Sequence, residues 1–257
     1  MKVLVDLHNH SCLSPCASLE QSPSLLVRLA AERGVSVLAL TDHNSALNCP
    51  AFGEACGRAG IAPLFGLEAC SSEEVHVLCL FGTVEEALDF GSFLRGLIPA
   101  LPYDAERLGD EAVVDADEGV LDLLDYWLGS GIDLSYDAIC AEAASRGAAV
   151  IPAHVDRPMF SVSSQLGFLP AGPYAAVEAM REPPRALTRG RPVISGSDAH
   201  YPEHIARRPT LVDLDEGALE AGRSGRGGEL LSALVEAFKA GKALPYWLQG
   251  GRQGLSK

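Results

Sequence analysis

The chain has 257 residues, of which 47% are hydrophobic, and its formal net charge is -14. This length and apolar content suffice for one large core, so we expect a single domain over 1–257. The acidic balance argues against a general nucleic-acid-binding surface, which needs clustered Lys and Arg. We find neither an apolar stretch of about 18 residues nor a signal-peptide pattern, and therefore expect a cytoplasmic protein that does not bind membranes.

Apolar strand segments alternate with helical segments along the chain. Ser22 and Pro23 predict the start of the first helix as an N-cap and a first-turn proline. Strands are predicted at residues 3–7, 35–40, 62–67, 75–81, 148–152, 175–179 and 192–195, and helices at 25–32, 51–58, 84–94 and 135–146. Strands that are apolar throughout and alternate with helices predict a parallel sheet covered by helices. Seven such strands favour a barrel over an open sheet.

Three segments fall outside this alternation. Residues 103–125 are rich in Asp and Glu and predict an acidic insertion with an exposed loop and a helix. Residues 216–228 have the Gly, Ser and Arg content of a mobile surface connection. Residues 229–242 form an amphipathic pattern, which predicts a covering helix on the outside of the domain.

The placement of the histidines is the most informative feature of the sequence. His204 is the one histidine that lies away from the apolar strands. The other six lie within or just beyond predicted strands: His8, His10, His43, His76, His154 and His200. Because the C-terminal strand ends of a parallel barrel meet on one face, we expect these side chains to converge there. His8 and His10 are two residues apart on a strand, so their rings point the same way.

Two acidic residues accompany the histidines. Glu68 lies at the end of the third strand, and Asp198 precedes His200 by two residues. Zinc, manganese and iron accept such a mixed shell of imidazole and carboxylate ligands. Each motif alone has an ordinary structural explanation, but their joint occurrence at separate strand ends indicates a metal site.

Taken together, these motifs resemble the PHP superfamily, named for its polymerase-associated and histidinol-phosphatase members. The matching segments are DLHNH (6–10), TDHN (41–44), GLE (66–68), His76, PAH (152–154) and SDAH (197–200). The resemblance implies an α/β fold, a distorted (βα)7 TIM-like barrel with a metal cluster at the C-terminal strand ends. It also implies two or three divalent ions, Zn, Mn or Fe.

The resemblance further implies which residues hold each ion. Glu68 is expected to bridge two of the ions. Carried over by position, the ligand sets are His8, His10, Glu68 and Asp198 for the first ion, His43 and His200 for the second, and Glu68, His76 and His154 for the third.

Cys16 departs from the family pattern. Members of the family generally have a His or Asp several residues after the second histidine of the first motif, where this chain has Cys16. A thiolate can bind zinc or iron, because a nearby cation lowers its pKa. A free cysteine is equally often a buried small residue, so both interpretations of Cys16 stay open. We interpret Cys12 as structural.

The resemblance implies a metal-dependent phosphoesterase. Its expected reaction is hydrolysis of a small phosphate ester, a phosphomonoester or a nucleotide-like compound, by a metal-bound hydroxide. Asp198, His200 and Arg157 are the candidate catalytic residues. A small phosphorylated substrate is therefore the expected partner, and the oligomeric state stays open.

Arginines near the strand ends are candidates for binding the phosphate. Arg157 follows His154 by three residues, and its planar guanidinium matches the geometry of phosphate. Arg207 and Arg208 are further candidate substrate-binding residues. Asp6 and Asp42 are expected to orient ligand histidines rather than to bind metal.

Three alternative functions remain. The first is an exonuclease acting on short oligonucleotides. The second is an amidohydrolase-like enzyme that cleaves C-N or C-O bonds, typically with a carboxylated lysine or a Glu bridging two ions; none of the four lysines lies at a predicted strand end. The third, and least favoured, is a non-catalytic metal-binding module, because structural sites are usually closed by a few ligands.

Overall fold

The computed structural model describes residues 1–249, so the last part of the predicted single domain, residues 250–257, lies outside the described residues. Within residues 1–249, no helix combines the length and the apolar composition needed to cross a membrane. The strands are β1 (Lys2–Asp6), β2 (Val35–Leu40), β3 (Ala62–Cys70), β4 (His76–Phe81), β5 (Ala112–Val114), β6 (Val120–Leu123), β7 (Ala149–Pro152), β8 (Val177–Glu178), β9 (Val193–Ile194), β10 (Thr210–Asp213) and β11 (Ala243–Leu244).

The helices cover both long segments and short turns. The α-helices are α1 (Pro23–Glu32), α2 (Cys49–Ala59), α3 (Val84–Arg95), α4 (Ala105–Leu108), α5 (Tyr136–Ser145), α6 (Val162–Gln165), α7 (Arg185–Thr188), α8 (Glu216–Arg223) and α9 (Gly227–Lys239). Two 3-10 turns lie at Pro202–His204 and Tyr246–Leu248.

Local sequence signals place several helix ends where they were predicted. The Ser22 side chain accepts a hydrogen bond from Leu25 N at the start of α1, so the predicted N-cap is confirmed. Thr83 and Glu86 form a capping box that starts α3. Gly60 ends α2 with φ of 69°, a left-handed conformation that glycine adopts without steric cost.

The main sheet is mixed rather than all parallel. It has seven strands in the order β11-β10-β1-β2-β3-β4-β7, with β1, β2 and β3 parallel. β4 pairs antiparallel with both β3 and β7, and β10 pairs antiparallel with β1. The prediction of a parallel sheet was wrong at β4 because residues 71–75, which join β3 to β4, are too few for a crossover helix and form a hairpin instead.

Backbone hydrogen bonds beyond the seven-stranded sheet close the domain into a barrel. Ala175 N donates to Val150 O at 2.9 Å, which links the segment before β8 to β7, and β8 pairs parallel with β9. His10 N then donates to Ala199 O at 3.0 Å, which links the segments beyond β1 and β9. The distorted, TIM-like α/β barrel is thereby confirmed. Its distortion lies in the antiparallel β4 and in the two-residue strands β8 and β9.

Two segments contain regular structure beyond what the sequence predicted. Within 103–125, α4 is followed by the hairpin β5–β6. Within 216–228, the predicted mobile connection was wrong for Glu216–Arg223, which is helix α8 with Asp215 as its N-cap. Gly222 allows close packing there, since a Cβ at this position would lie 2.5 Å from Leu230 Cδ2.

The last long helix covers the starts of the barrel strands. Leu230, Leu234 and Phe238 of α9 pack in one buried cluster with Leu64 of β3 and Leu78 of β4. Leu64 and Glu68 lie on the same face of β3, because side chains alternate along a strand. α9 therefore packs against the inner face of the sheet, at the end of the barrel away from Glu68. The sequence had predicted that this helix lies on the outside of the domain.

Candidate metal centre

The predicted ligand side chains converge at one mouth of the barrel. Within residues 1–249, three groups of side chains each place three possible ligand atoms within 4.8 Å of one another. The groups are His8 with His10 and Asp198, His10 with His43 and His200, and His43 with Glu68 and His76. Several ions can therefore be held side by side, with His10 and His43 each belonging to two groups.

Glu68 lies at the middle of the cluster and is completely buried. Its backbone is held by a hydrogen bond from Glu68 N to Asp42 O at 3.0 Å, an extension of the β2–β3 pairing. Five histidine nitrogens surround its carboxylate: His76 Nδ1 at 3.0 Å, His154 Nε2 at 3.0 Å, His43 Nδ1 at 3.1 Å, His8 Nε2 at 3.3 Å and His10 Nε2 at 3.4 Å. One carboxylate can thus reach the ligand atoms of neighbouring sites.

The pKa shifts in the cluster keep ligand groups in the forms that bind cations. Burial would raise the pKa of Glu68, but His76, His8 and His43 outweigh burial and hold that pKa well below its usual range. Burial lowers the pKa of His43 well below 6.5, and burial with the nearby His10 lowers the pKa of His200 to about 3. These two imidazoles are therefore neutral at pH 7 and have a free lone pair.

Two observations show that the cluster fits a cation. His8 Nε2 and His10 Nε2 face each other at 3.2 Å, and Asp198 Oδ1 lies 3.5 Å from each of them. Glu68 Oε2 and Asp198 Oδ1 are buried and accept no hydrogen bond from any described residue. Burying such atoms without a partner is costly, and a divalent cation among them would satisfy both oxygens and both nitrogens. This mixed imidazole and carboxylate donor set is one that zinc, manganese and iron accept.

The His8 environment leads to the same conclusion. Burial lowers the pKa of His8, but Glu178, Glu68 and Asp198 outweigh burial and raise that pKa well above 6.5. The carboxylates that favour a proton on this ring also favour a positive ion in its place.

Backbone strain accompanies two of the ligands. Asp198 has φ of 48° and His154 has φ of 30°, both in the left-handed region that non-glycine residues rarely adopt. Arg207 Nη2 donates to Asp198 O at 3.1 Å, and Arg208 Nη2 donates to Ser197 O at 3.0 Å. These two arginines therefore hold the strained segment that carries Asp198.

The cluster opens into a pocket of about 470 Å³. Arg157 and Arg207, two of the three predicted substrate-binding arginines, line the pocket, whereas Arg208 is not among its lining residues. Arg157 is half-buried, and its Nη1 lies 3.3 Å from Asp198 Oδ2. His204, which the sequence interpretation left aside, also lines this pocket. Its position four residues after His200, across a 3-10 turn, was the available signal.

Cys16 is exposed and lines the same pocket, but it belongs to none of the three ligand groups. The surrounding protein, together with Glu68 and Asp198, raises the pKa of its thiol to about 12. The thiol is thus neutral at pH 7 unless a cation offsets these effects. Cys12 is buried and donates to Ala112 O at 3.7 Å.

The outer partners of the ligand histidines were only partly predicted. Asp42 contacts the hydroxyls of Ser11 and Ser14 at 2.7 Å, and Asp6 accepts from Ser197 N at 2.9 Å, so neither bonds a histidine directly. Glu178, which sequence reasoning missed, lies 2.8 Å from His8 Nδ1. A single Glu inside the otherwise apolar segment 175–179 was the signal that could have identified it.

One wall of the pocket comes from the segment that follows the acidic insertion. Trp127, Leu128 and Gly129 line the pocket. The Asn44 side chain donates to Leu128 O at 2.8 Å, and Leu128 N donates to the Glu111 carboxylate at 2.9 Å. The segment that follows the β5–β6 hairpin is thereby tied directly to the residue after His43.

Glu111 makes the stability of this wall depend on pH. Glu111 is fully buried, and burial raises its pKa from 4.5 to about 7, although the Leu128 N–H opposes the shift. Folding therefore favours the protonated acid, and this stabilisation is lost as pH rises from about 4.5 to about 7. Glu111→Gln, which stays uncharged, should become more stable relative to the unmodified protein between about pH 5 and pH 8. Thermal unfolding of both proteins across this range measures the difference; a constant difference would contradict the assignment.

Comparison with known proteins agrees with this geometry. Residues 6–129 match the family model described as the PHP domain. The chain carries a PHP domain. The matched part contains His8, His10, His43, Glu68 and His76, and the barrel then brings His154, Asp198 and His200 to the same cluster. No curated protein sequence matches the chain.

Solved structures share the fold at low sequence identity. The lesion-specific endonuclease Q from Pyrococcus furiosus aligns with a TM-score of 0.61 and 16% identity over 95% of this chain. The PHP-domain chain spans only 58% of that endonuclease. A candidate metal-dependent phosphoesterase from Bifidobacterium adolescentis aligns with a TM-score of 0.53 and 19% identity, over 76% of this chain and 87% of that one.

An amidohydrolase from Chromobacterium violaceum, solved with bound sulfate and without metal, also has this fold. It aligns with a TM-score of 0.52 and 21% identity, over 85% of this chain and 96% of that one. At these identities the likeness concerns the fold, and the reaction must be argued from the site itself.

Proposed function

We propose that this PHP-domain protein is a metal-dependent phosphoesterase that hydrolyses a small phosphate ester, either a phosphomonoester or a nucleotide-like compound. The observation that carries the proposal is the buried Glu68 carboxylate, with five histidine nitrogens within 3.4 Å, at the base of an open pocket that an arginine lines. Two or three divalent ions bound there would activate water and offset the charge on the phosphoryl group.

The residues of the chain supply the rest of the reaction site. His8, His10, Asp198 and Glu68 would hold the first ion. His43 and His200 would hold the second, and Glu68, His76 and His154 the third. Glu68 touches nitrogens of all three sets, so it fixes their spacing. The strained backbone of Asp198 holds its carboxylate between His8 and Arg157.

Arg157 is the proposed phosphate-binding residue and, with Asp198 and His200, one of the candidate catalytic residues. Its side chain is half-buried in the pocket wall, and a guanidinium in such a place can donate two hydrogen bonds to phosphoryl oxygens. Arg207 has the same access, although its Nε and Nη2 already donate to backbone carbonyls. We place Arg208 behind it as a support for residues 196–197.

A substrate screen tests the function. Protein purified without chelators is first assayed for bound metal, then incubated with phosphomonoesters and phosphodiesters in the presence of added Mn, Zn or Fe. Metal-dependent release of phosphate from a monoester supports the proposal. Metal-loaded protein that cleaves no phosphate ester but hydrolyses an amide or carboxylic ester would replace it with the amidohydrolase alternative.

The exonuclease alternative rests on the family resemblance; endonuclease Q, which shares this fold, has a known structure with a duplex that contains an abasic lesion. The acidic insertion, whose Leu108 lines the pocket, argues against a nucleic-acid polymer. Residues 103–125 contain nine Asp and Glu and one Arg, and this negative charge repels phosphate backbones. Salt-sensitive binding of a short labelled oligonucleotide, followed by release of mononucleotides, would favour the exonuclease.

Replacing Arg157 by alanine should mainly raise KM for the phosphate ester. A charge-assisted hydrogen bond contributes about 1.5–3 kcal/mol, which corresponds to roughly a 10- to 100-fold change. The KM of Arg157→Lys should fall between those of the unmodified protein and Arg157→Ala, because lysine keeps the charge but not the paired donors. Steady-state kinetics measure KM and kcat. Arg181→Ala is the control, since Arg181 is exposed and pairs with Asp156 outside the pocket; unchanged kinetics in Arg157→Ala would remove Arg157 from the site.

Cys16 is the proposed additional ligand of the second ion. It lines the pocket close enough to the carboxylates of Glu68 and Asp198 for them to affect its thiol. Cys16→Ala should therefore lower the number of zinc ions bound per chain, as measured by elemental analysis after gel filtration. Cys12→Ala is the control, because Cys12 is buried and bonds to the backbone instead. An unchanged zinc count in Cys16→Ala would show that Cys16 is not a ligand.

A further inference from the structure

The two ring nitrogens of His8 contact different groups, one inside the metal cluster and one outside it. His8 Nε2 faces Glu68 and Asp198, and His8 Nδ1 lies 2.8 Å from Glu178 Oε2. Both side chains of this second contact are buried. A carboxylate oxygen accepts hydrogen bonds, so Nδ1 carries the proton and donates a hydrogen bond to Glu178 Oε2. A neutral His8 therefore has its lone pair on Nε2, the atom that faces the cluster.

His10 is also held with its proton on Nδ1, in this case by the hydroxyl of a serine. His10 Nδ1 lies 3.0 Å from Ser14 Oγ, and Ser14 Oγ lies 2.7 Å from Asp42 Oδ1. Ser14 uses its single hydroxyl proton to donate a hydrogen bond to Asp42 Oδ1, because a carboxylate oxygen accepts hydrogen bonds. Ser14 must then accept from His10 Nδ1, as it also accepts from His43 N at 3.1 Å. The lone pair of His10 is consequently on Nε2 as well.

Gly196 leaves the space in which the first of these contacts forms. A Cβ at this position would lie 2.4 Å from Glu178 Oε1 and 2.8 Å from His8 Cβ. No side chain fits there without displacing one of the two groups. A glycine at position 196 therefore leaves room for both Glu178 and His8 to make this contact.

We propose that Glu178 and Ser14 are positioning residues, which make His8 and His10 present unprotonated Nε2 atoms to one shared cation and so set the cation affinity of the centre. The proposal rests on the metal centre of the proposed function and not on the reaction that the centre catalyses. Hydrogen-bond partners of this kind change metal affinity by about 10- to 100-fold when they are removed. Without a cation, one of the two Nε2 atoms can carry a proton and donate a hydrogen bond to the other across 3.2 Å, and a shared cation would take the place of that proton.

Zinc titration against a chromophoric chelator tests the proposal. Full-length protein is compared with Glu178→Ala, Glu178→Gln and Ser14→Ala. Glu178→Ala and Ser14→Ala should each bind the tightest zinc ion about 10- to 100-fold more weakly, and Glu178→Gln should weaken binding less, because its amide oxygen still accepts from His8 Nδ1. The controls are Glu111→Gln and Ser195→Ala, which change another buried carboxylate and another buried serine. Both controls should keep the zinc affinity of the unmodified protein.

Nitrogen-15 NMR of the histidine rings distinguishes positioning from a general structural role. In the zinc-loaded protein, His8 and His10 should both show a proton on Nδ1, and the variants should show a mixture of ring states. If Glu178→Ala does not fold, Ser14→Ala makes the same test at His10, because it removes the acceptor of His10 Nδ1. Unmodified protein that binds no zinc would refute the metal centre itself. Variants that bind zinc like the unmodified protein, in a centre that does bind it, would overturn only this proposal.

Discussion

Glu68→Ala should abolish turnover while the barrel still folds. The carboxylate lies within 3.4 Å of five histidine nitrogens, so its loss removes the ligand that the first and third sets share and that contacts His43 of the second set. We expect kcat to fall by at least about 10³-fold, since the cations of such centres supply several kcal/mol of transition-state stabilisation. Steady-state kinetics on the best substrate of the screen, together with zinc content, measure the effect.

The fold should persist in this variant because the Glu68 side chain bonds only within the cluster. The β3 backbone keeps its pairing with β2 and β4, including Glu68 N to Asp42 O. Far-UV circular dichroism and thermal unfolding check this expectation. Glu68→Gln separates charge from volume, because it keeps the shape and removes the negative charge, and it should also lose zinc. Glu111→Gln removes a different buried carboxylate and should keep its zinc. Turnover in Glu68→Ala close to that of the unmodified protein would refute the proposed centre.

Removing the metal should have the second large effect, on both activity and stability. A ligand that binds only the folded state stabilises it by RT ln(1 + [L]/Kd), about 2.7 kcal/mol at a hundredfold excess over Kd. For a domain of this size, that corresponds to roughly 5–10 °C in Tm for each ion. In the metal-free protein, Glu68 Oε2 and Asp198 Oδ1 also stay buried without a hydrogen-bond partner among the described residues, which costs stability.

The experiment treats purified protein with a chelator, removes the chelator, and measures Tm and phosphate release before and after adding back one metal at a time. Manganese, zinc or iron should restore both quantities. Calcium is the control, because it prefers oxygen ligands and the site consists mainly of imidazoles. Full activity in protein that elemental analysis shows to be free of metal would exclude the mechanism.

Local chemistry explains why much of the barrel could be predicted. Ser22 with Pro23 and Gly60 produce their helix ends through contacts within a few residues. Apolar runs such as Val35–Leu40 are strands because both faces of the sheet are covered. α8 was missed because its glycines are typical of a loop, whereas Gly222 is needed where α8 packs on Leu230.

The candidate site also has one part that the sequence determined and another that only the tertiary structure decided. The sequence by itself determined which residue types stand at the strand ends, and imidazoles beside carboxylates specify metal chemistry wherever the chain brings them together. Only the tertiary structure decided that Glu68 lies between five histidines, that Glu178 lies behind His8, and that Trp127 forms a pocket wall. Glu178 is 170 residues from His8 along the chain. No local pattern encodes a distance between such residues, because that distance depends on how the whole barrel closes.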